Sequence, residues 1–160
     1  MPKTARNQNP NATEKNPTRE RCKLEAPSLK LKVVRDEMKK FGYEDLEVWK
    51  RAVDFAVKVI ELVETIDTGR KHYRLLEQIE ASSTSVSMNL AEGKGRFSQK
   101  EFMHYCYIAR GSLYETITLL EIFKRKGWIS EEKLSLLKSE GIEIVSMIKG
   151  LINSLYKSPK

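Results

Sequence analysis

The chain has 160 residues, of which 40% are hydrophobic and 32% are charged, and its formal net charge is +7. This length and apolar content are typical of one modest domain rather than two. No window approaches the ~18 uninterrupted apolar residues of a membrane span, so we expect no membrane partner. Two cysteines exclude a disulfide framework and a four-cysteine metal site. The N-terminus contains no apolar run typical of a secretory signal, and we therefore expect a cytoplasmic location.

The positive charge is concentrated in the N-terminal part of the chain. Residues 1–40 carry 11 Lys/Arg and 5 Asp/Glu, a net of +6, whereas residues 41–160 carry 18 and 17, a net of +1. The first 27 residues have almost no apolar side chains, so burial cannot offset the entropy lost on ordering. We predict a basic, largely disordered tail over 1–40, in which only residues 28–40 have enough apolar residues for a short helix or strand.

Residues 41–160 have apolar positions that recur with helical period and predict four helices, at about 44–65, 72–92, 98–126 and 130–157. Short connections favour antiparallel neighbours. The predicted fold class is therefore all-α, an antiparallel up-down-up-down four-helix bundle.

The first helix is apolar on two sides. Its predicted core stripe consists of Leu46, Trp49, Ala52, Val53, Ala56, Val57, Ile60 and Val63. A second stripe lies about half a turn away and consists of Val48, Phe55, Val59 and Leu62. A helix that is apolar on two faces is expected to be buried on two faces, so we assign the second stripe to an interface between copies of the chain.

The second helix contains a run of small residues, Ala81-Ser82-Ser83-Thr84-Ser85-Val86-Ser87, which has low helix propensity. Small side chains allow a neighbouring helix to approach closely, with hydroxyls bonded to carbonyls of the preceding turn. A serine nucleophile is the alternative, but no glycine-flanked elbow surrounds these serines. We therefore interpret the run as a packing surface.

The second helix is followed by a glycine-rich basic corner. Gly93 and Gly95 are expected to supply positive φ angles where the helix ends. Ser98, followed three residues later by Glu101, is a capping-box signature for the start of the third helix. The cations of this corner are Lys94, Arg96 and Lys100.

The third helix also has two apolar stripes. Its core stripe is predicted at Phe102, Cys106, Ala109, Leu113 and Leu120, and the interface stripe at Ile108, Leu119 and Ile122. Glu101 and His104 have the Glu-x-x-His spacing of di-iron bundles, but a second such motif is missing, so we predict no metal and no cofactor. We predict no catalytic residue either, since Cys106 and His104 are two positions apart and do not face each other.

The fourth helix is predicted to begin after Gly127, which ends the third, with Ser130 as its N-cap. Its core stripe is predicted at Leu134, Leu137, Ile144, Val145, Ile148, Leu151, Ile152 and Leu155.

The bundle topology gathers cations at both ends. In an up-down bundle the first and third connections share one end, which brings together Arg70, Lys71, Arg74, Lys124, Arg125 and Lys126. At the other end, the corner cations approach the start of the first helix. Such patches suit a phosphate backbone, although solvated helix termini are the alternative.

The most recognisable segments of the chain are Asp45-Leu46-Glu47-Val48-Trp49-Lys50-Arg51-Ala52, the stretch from Ser85 to Arg96, Ser98-Gln99-Lys100-Glu101-Phe102, and Ile108-Ala109-Arg110-Gly111-Ser112-Leu113-Tyr114-Glu115. In these segments the chain resembles the four-helix-bundle proteins encoded in intervening sequences of 23S rRNA genes. The resemblance implies a bacterial cytoplasmic protein, a ring-like homo-oligomer, specifically a pentamer, and no established enzymatic activity.

A related branch of that family serves as the accessory protein of diversity-generating retroelements, in which a basic pentamer binds reverse transcriptase and RNA. By resemblance, the corner residues Asn89, Glu92, Gly93, Gly95, Ser98 and Glu101 are structural. Asn89 and Glu92 would bond exposed amides, and Arg96 would pair with Glu92 or meet phosphate. We expect a non-enzymatic, oligomeric, RNA-associated protein; the alternative is a protein-binding scaffold that does not contact nucleic acid.

Overall fold

The computed structural model describes residues 40–69 and 71–157, and these form four α-helices without a strand. The helices are α1 (Glu47–Glu64), α2 (Tyr73–Lys94), α3 (Gln99–Arg125) and α4 (Glu131–Lys157). The all-α prediction is confirmed. The predicted tail lies outside the described residues except for Lys40, and so does Arg70. None of the four helices is both long and apolar enough to cross a membrane.

Two helix boundaries differ from the prediction by more than one residue. Helix α1 starts three residues late because the preceding segment forms turns, in which the Glu44 amide donates to the carbonyl of Phe41 at 2.9 Å and the Leu46 amide donates to that of Tyr43 at 3.0 Å. Helix α2 runs two residues further than predicted, to Lys94.

The predicted signals around the third connection are confirmed. Gly127 has a φ of 72°, and its amide donates to the carbonyl of Lys124 at 2.9 Å. The amide of Trp128 donates to the carbonyl of Phe123, also at 2.9 Å, which completes a Schellman motif that ends α3. The Ser130 hydroxyl then accepts from the amide of Lys133 at 3.3 Å and caps α4.

The four helices pack as a ring in which each contacts its neighbours in sequence and α4 also contacts α1. Helices α2 and α3 share the most extensive contact, and α1 and α4 the least. The rings of His72 and Trp128 lie 5.3 Å apart, which places the first and third connections at one end of the bundle. This topology is the one predicted from the short connections.

The core stripe of α1 was predicted only in part, with Ala52, Ala56 and Val63 correctly assigned to it. The buried residues of this helix are Val48, Ala52, Phe55, Ala56, Val59, Leu62 and Val63. Phe55 and Val59 are completely buried, whereas Val57, a predicted core residue, is 47% exposed. The true core face is rotated by about a quarter turn from the predicted one.

The physical reason for this error is the role of two charged residues of α1. Arg51 and Lys58 border the buried stripe, but they do not mark a solvent face, because they form ion pairs with Glu143 and Glu140 of α4. The apolar band of α1 is also wider than one contact surface, so hydrophobic periodicity alone could not locate its centre.

Candidate nucleic-acid interface and the corner between α2 and α3

A polar seam joins the small residues of α2 to α3. The Ser82 and Thr116 hydroxyls, both buried, lie 2.9 Å apart, and those of Ser85 and Ser112 lie 3.0 Å apart. The amide nitrogen of Asn89 donates to the carbonyl and hydroxyl oxygens of Ser85, at 2.7 and 2.9 Å. The predicted packing surface is therefore confirmed, but Asn89 stabilises this seam and does not bond the corner amides as expected.

The glycines of the corner do not have the predicted conformation. Gly95 has a φ of −76°, and the positive-φ glycines of the described chain are Gly69 and Gly127. Gly93 is instead a buried helical residue at a close contact: a Cβ at this position would lie 2.6 Å from the Cβ of Tyr105. Glycine is required here because α3 lies too close to α2 for any side chain.

The predicted Ser98 N-cap of α3 is confirmed, but the Glu101 carboxylate binds the Ser98 hydroxyl and not the Ser98 backbone amide of a full capping box. The Ser98 hydroxyl accepts from the backbone amide of Glu101 at 3.2 Å and donates to its carboxylate at 2.8 Å. This arrangement satisfies one of the free amides of the first turn and places a carboxylate at the positive end of the helix dipole.

Three polar side chains close the corner from outside. Glu92 accepts hydrogen bonds from Arg96 and from the Tyr105 hydroxyl, the latter at 2.8 Å, and Arg96 also donates to the Tyr105 oxygen. The Arg96 guanidinium lies 4.9 Å from the centre of the Tyr105 ring. The expected pairing of Arg96 with Glu92 is confirmed, whereas Tyr105 was missed. The antiparallel register of α2 and α3 could have identified it, because that register brings position 105 opposite positions 92 and 93.

The hydrogen bonds of this cluster shift the ionisation of its members. The pKa of Glu92 is lowered, chiefly because Tyr105 and then Arg96 donate to its carboxylate. The pKa of Tyr105 is raised, chiefly because its proton is held by Glu92. The pKa of Arg96 is raised by its bond to Glu92. The charge on Arg96 is therefore largely compensated within the subunit.

The other corner cations have fewer anionic neighbours. The Lys94 ammonium lies 5.8 Å from the centre of the Phe102 ring, and a Cβ on Gly42 would lie 3.9 Å from the Lys94 Cε. The corner thus reaches the segment before α1, as predicted. Lys100 is exposed beside the first turn of α3. No ion pair among residues 40–69 and 71–157 includes Lys94 or Lys100.

The opposite end of the bundle has both paired and unpaired cations. Lys124 pairs with Glu131 at 2.7 Å, which raises the pKa of this lysine, and Arg125 pairs with Glu121 at 3.2 Å. Lys126 lies 5.9 Å from the centre of the Trp128 ring. Lys71, Arg74 and Lys126 are exposed and take part in none of the ion pairs of the described chain.

Most of the predicted interface residues are buried within the subunit. Val48, Phe55, Val59, Leu62 and Leu119 are at most 7% exposed and belong to the core. Their assignment to an interface between copies is therefore wrong. In α1 the cause is the displaced core stripe described above, and Leu119 of α3 packs in the same core cluster. Ile108 and Ile122 are each 39% exposed and remain available to a partner.

The residues considered for catalysis show no reactive arrangement. Cys106 is fully buried, and burial raises the pKa of its thiol to about 11. His104 is exposed, and the neighbouring Glu101 is engaged with Ser98. Within the described part of the chain, no three His, Cys, Asp or Glu side chains are grouped so that they could hold a metal ion.

Comparisons with protein families and with solved structures both gave matches. A family model described as "23S rRNA-intervening sequence protein" matches residues 44–150. A crystal structure of a protein of unknown function from Bacteroides thetaiotaomicron, described as a member of the S23 ribosomal protein family, is 26% identical with a TM-score of 0.61. That alignment covers 66% of this chain and 97% of the other. The comparison with curated proteins gave no match.

Proposed function

Because the chain belongs to the 23S rRNA-intervening sequence protein family, we propose that it is a non-enzymatic, self-associating, RNA-associated protein of the cytoplasm. The observation that carries the RNA-binding part is the set of exposed cations at the bundle ends that lack a carboxylate partner among the described residues. These cations are Lys71, Arg74, Lys126, Lys94 and Lys100.

Unpaired cations are the groups that contribute most to binding a polyanion. A lysine that is already neutralised, such as Lys124, gains less from a phosphate because it must first give up its carboxylate. A free lysine releases a condensed counterion when it meets a phosphate, and this release makes affinity depend steeply on salt. Self-association would repeat each patch and bring several phosphates into reach of one particle.

The self-association part of the proposal rests on Ile108 and Ile122. Both are exposed on α3, and their separation of 14 positions corresponds to about four helical turns, so they lie on the same side. We propose this side as part of a contact between copies, in the pentamer that the family resemblance implies. Sedimentation velocity should show an oligomer that dissociates in the double variant Ile108→Asp/Ile122→Asp. Met88→Asp, at an exposed apolar residue of α2, is the matched control; a monomeric parent protein would contradict the proposal.

RNA binding is tested by fluorescence anisotropy with a labelled, structured fragment of 23S rRNA at several salt concentrations. We expect the affinity to fall steeply with salt, and the double variant Lys71→Gln/Lys126→Gln to reduce the salt slope by about 2, one for each lost phosphate contact. Lys50→Gln is the control, because Lys50 is paired with Glu47 on α1. Salt-independent binding, or equal effects of the two variants, would refute the proposed patch.

A protein-binding scaffold is the second candidate. It is favoured by two large apolar side chains on the outer surface of α4, Leu136 at 60% and Ile142 at 61% exposure. Under this alternative the chain would bind a protein such as a reverse transcriptase and would not bind RNA at any salt concentration.

A further inference from the structure

We propose that the groove between α3 and α4 binds single-stranded RNA by stacking its bases on tyrosine rings. This inference rests on the proposed RNA association. It adds a binding site, the groove, and a class of ligand, single-stranded RNA, neither of which is specified by the basic ends of the bundle. The groove consists of two recesses. The first, of about 520 Å³, is lined by Tyr114 and Ile142 together with Lys138 and Lys149. The second, of about 640 Å³, is lined by Lys100, Tyr107 and Tyr156.

The two recesses follow each other along α3. Tyr107 and Tyr114 are seven residues apart, so they lie on the same side of the helix and about 10 Å apart along its axis. Arg110 lies between them, with its guanidinium 5.0 Å from the centre of the Tyr107 ring. The exposed fractions of Tyr107, Tyr114 and Tyr156 are 48%, 50% and 81%. Tyrosine rings that are this accessible offer flat surfaces to which any base can stack.

The groove is lined by more cations than acids, although the described residues as a whole have no net charge. The described residues contain 17 Lys/Arg and 17 Asp/Glu, yet the first recess is lined by two lysines and by no carboxylate among them. The second recess has Glu101 as its carboxylate, and this group is engaged with Ser98. The groove between α1 and α4 is different, since three acids line it and its cations are paired.

Aromatic platforms that alternate with unpaired cations favour single strands over duplexes. A duplex hides the faces of its bases and offers only phosphates, whereas a single strand presents both bases and backbone. Stacking on an exposed ring is also tolerant of sequence, so we expect binding of single-stranded RNA with weak base preference.

The experiment measures anisotropy of a labelled 12-nucleotide single-stranded RNA and of the same RNA in a duplex. We expect the single strand to bind more tightly, Tyr114→Ala to weaken it at least about fivefold, and Tyr114→Phe to retain it because stacking needs the ring. Met88→Ala is the control, since Met88 is a large exposed side chain, 66% accessible on α2, outside the groove and both basic ends. The double variant Lys138→Gln/Lys149→Gln should lower affinity and the salt slope, whereas Lys133→Gln should do so less.

The outcomes separate this inference from the proposed function. If the protein binds structured RNA through its basic ends but the tyrosine variants behave like Met88→Ala, the groove assignment is overturned and the proposed function stands. If the duplex binds as tightly as the single strand, stacking is overturned. If neither RNA binds at low salt, both proposals fail. Circular dichroism of each variant verifies that the bundle is folded.

Discussion

Replacing Gly93 with alanine tests the closest approach of two helices in the bundle. The added Cβ would lie 2.6 Å from the Tyr105 Cβ and 2.9 Å from a ring carbon of Phe102. The Phe102 ring is the movable end of a side chain, but the Tyr105 Cβ is attached directly to the backbone of α3. The strain can therefore be relieved only if α2 and α3 move apart along their polar seam.

The magnitude follows from two opposing terms. Alanine is favoured over glycine in a helix interior by about 1 kcal/mol, while overpacking a close contact costs about 1–3 kcal/mol. We expect Gly93→Ala to lower the free energy of unfolding by about 1 kcal/mol, or the Tm by about 3–6 °C. Gly111→Ala and Gly150→Ala should raise stability by up to about 1 kcal/mol, because no described atom lies within 4 Å of the new Cβ at either helical position.

Urea unfolding followed by circular dichroism at 222 nm measures these differences. Gly141→Ala should fall between the two groups, because its Cβ would lie 2.9 Å from the Cδ1 of Ile117, the movable end of a side chain. Gly93→Asn distinguishes steric contact from backbone conformation, since asparagine tolerates a positive φ. We expect it to be at least as destabilising as alanine. A Gly93→Ala protein stabilised as much as Gly111→Ala would refute the close contact.

Three further experiments test a hydrogen bond of the polar seam, the ionisation of Glu92 at the corner and the burial of Cys106 in the core. In a double-mutant cycle of Ser82→Ala and Thr116→Val, the coupling energy should be about 0.5–1.5 kcal/mol, the net worth of one buried hydrogen bond; a coupling near zero would contradict that bond. Tyr105→Phe removes the main cause of the lowered pKa of Glu92. The stability that this shift supplies is present at neutral pH and lost as pH falls through the folded-state pKa, so the difference from the parent in urea midpoint should shrink below about pH 4. A difference independent of pH would exclude this linkage. The Cys106 thiol, whose pKa is about 11, should be alkylated at pH 8 about a hundredfold or more slowly in the native protein than in urea, as measured by mass spectrometry of its peptide; equal rates would show that the site opens readily.

Much of the fold could be predicted from local signals. The caps of α3 and α4 follow from Ser98 and Ser130, and the end of α3 follows from Gly127, because each of these residues acts on amides or carbonyls within a few positions. The topology then follows from short connections. These features depend on nearest neighbours in sequence, which is the information that a single chain provides directly.

The role of Gly93 could not be predicted in the same way. A glycine near a helix end is most simply explained by a positive φ. The distance between α2 and α3 at this position cannot be read from the sequence. The distance between the helices depends on the whole seam, from Ser82 opposite Thr116 to Asn89 beside Ser85. The partners of Glu92 depend on the same register, which explains why Arg96, four residues away, was predicted and Tyr105 was not.

The core of α1 was misplaced for a related reason, and its correction changes where a partner can bind. Charged residues on a helix usually face water, but Arg51 and Lys58 are held at a helix contact by carboxylates of α4. Once the buried stripe is placed correctly, Val57 lies outside it, 47% exposed in the groove between α1 and α4 beside Arg51 and Lys58. A search for self-association should therefore concentrate on Ile108 and Ile122 of α3, which are exposed, and not on the stripe containing Phe55, which the core of the subunit already buries.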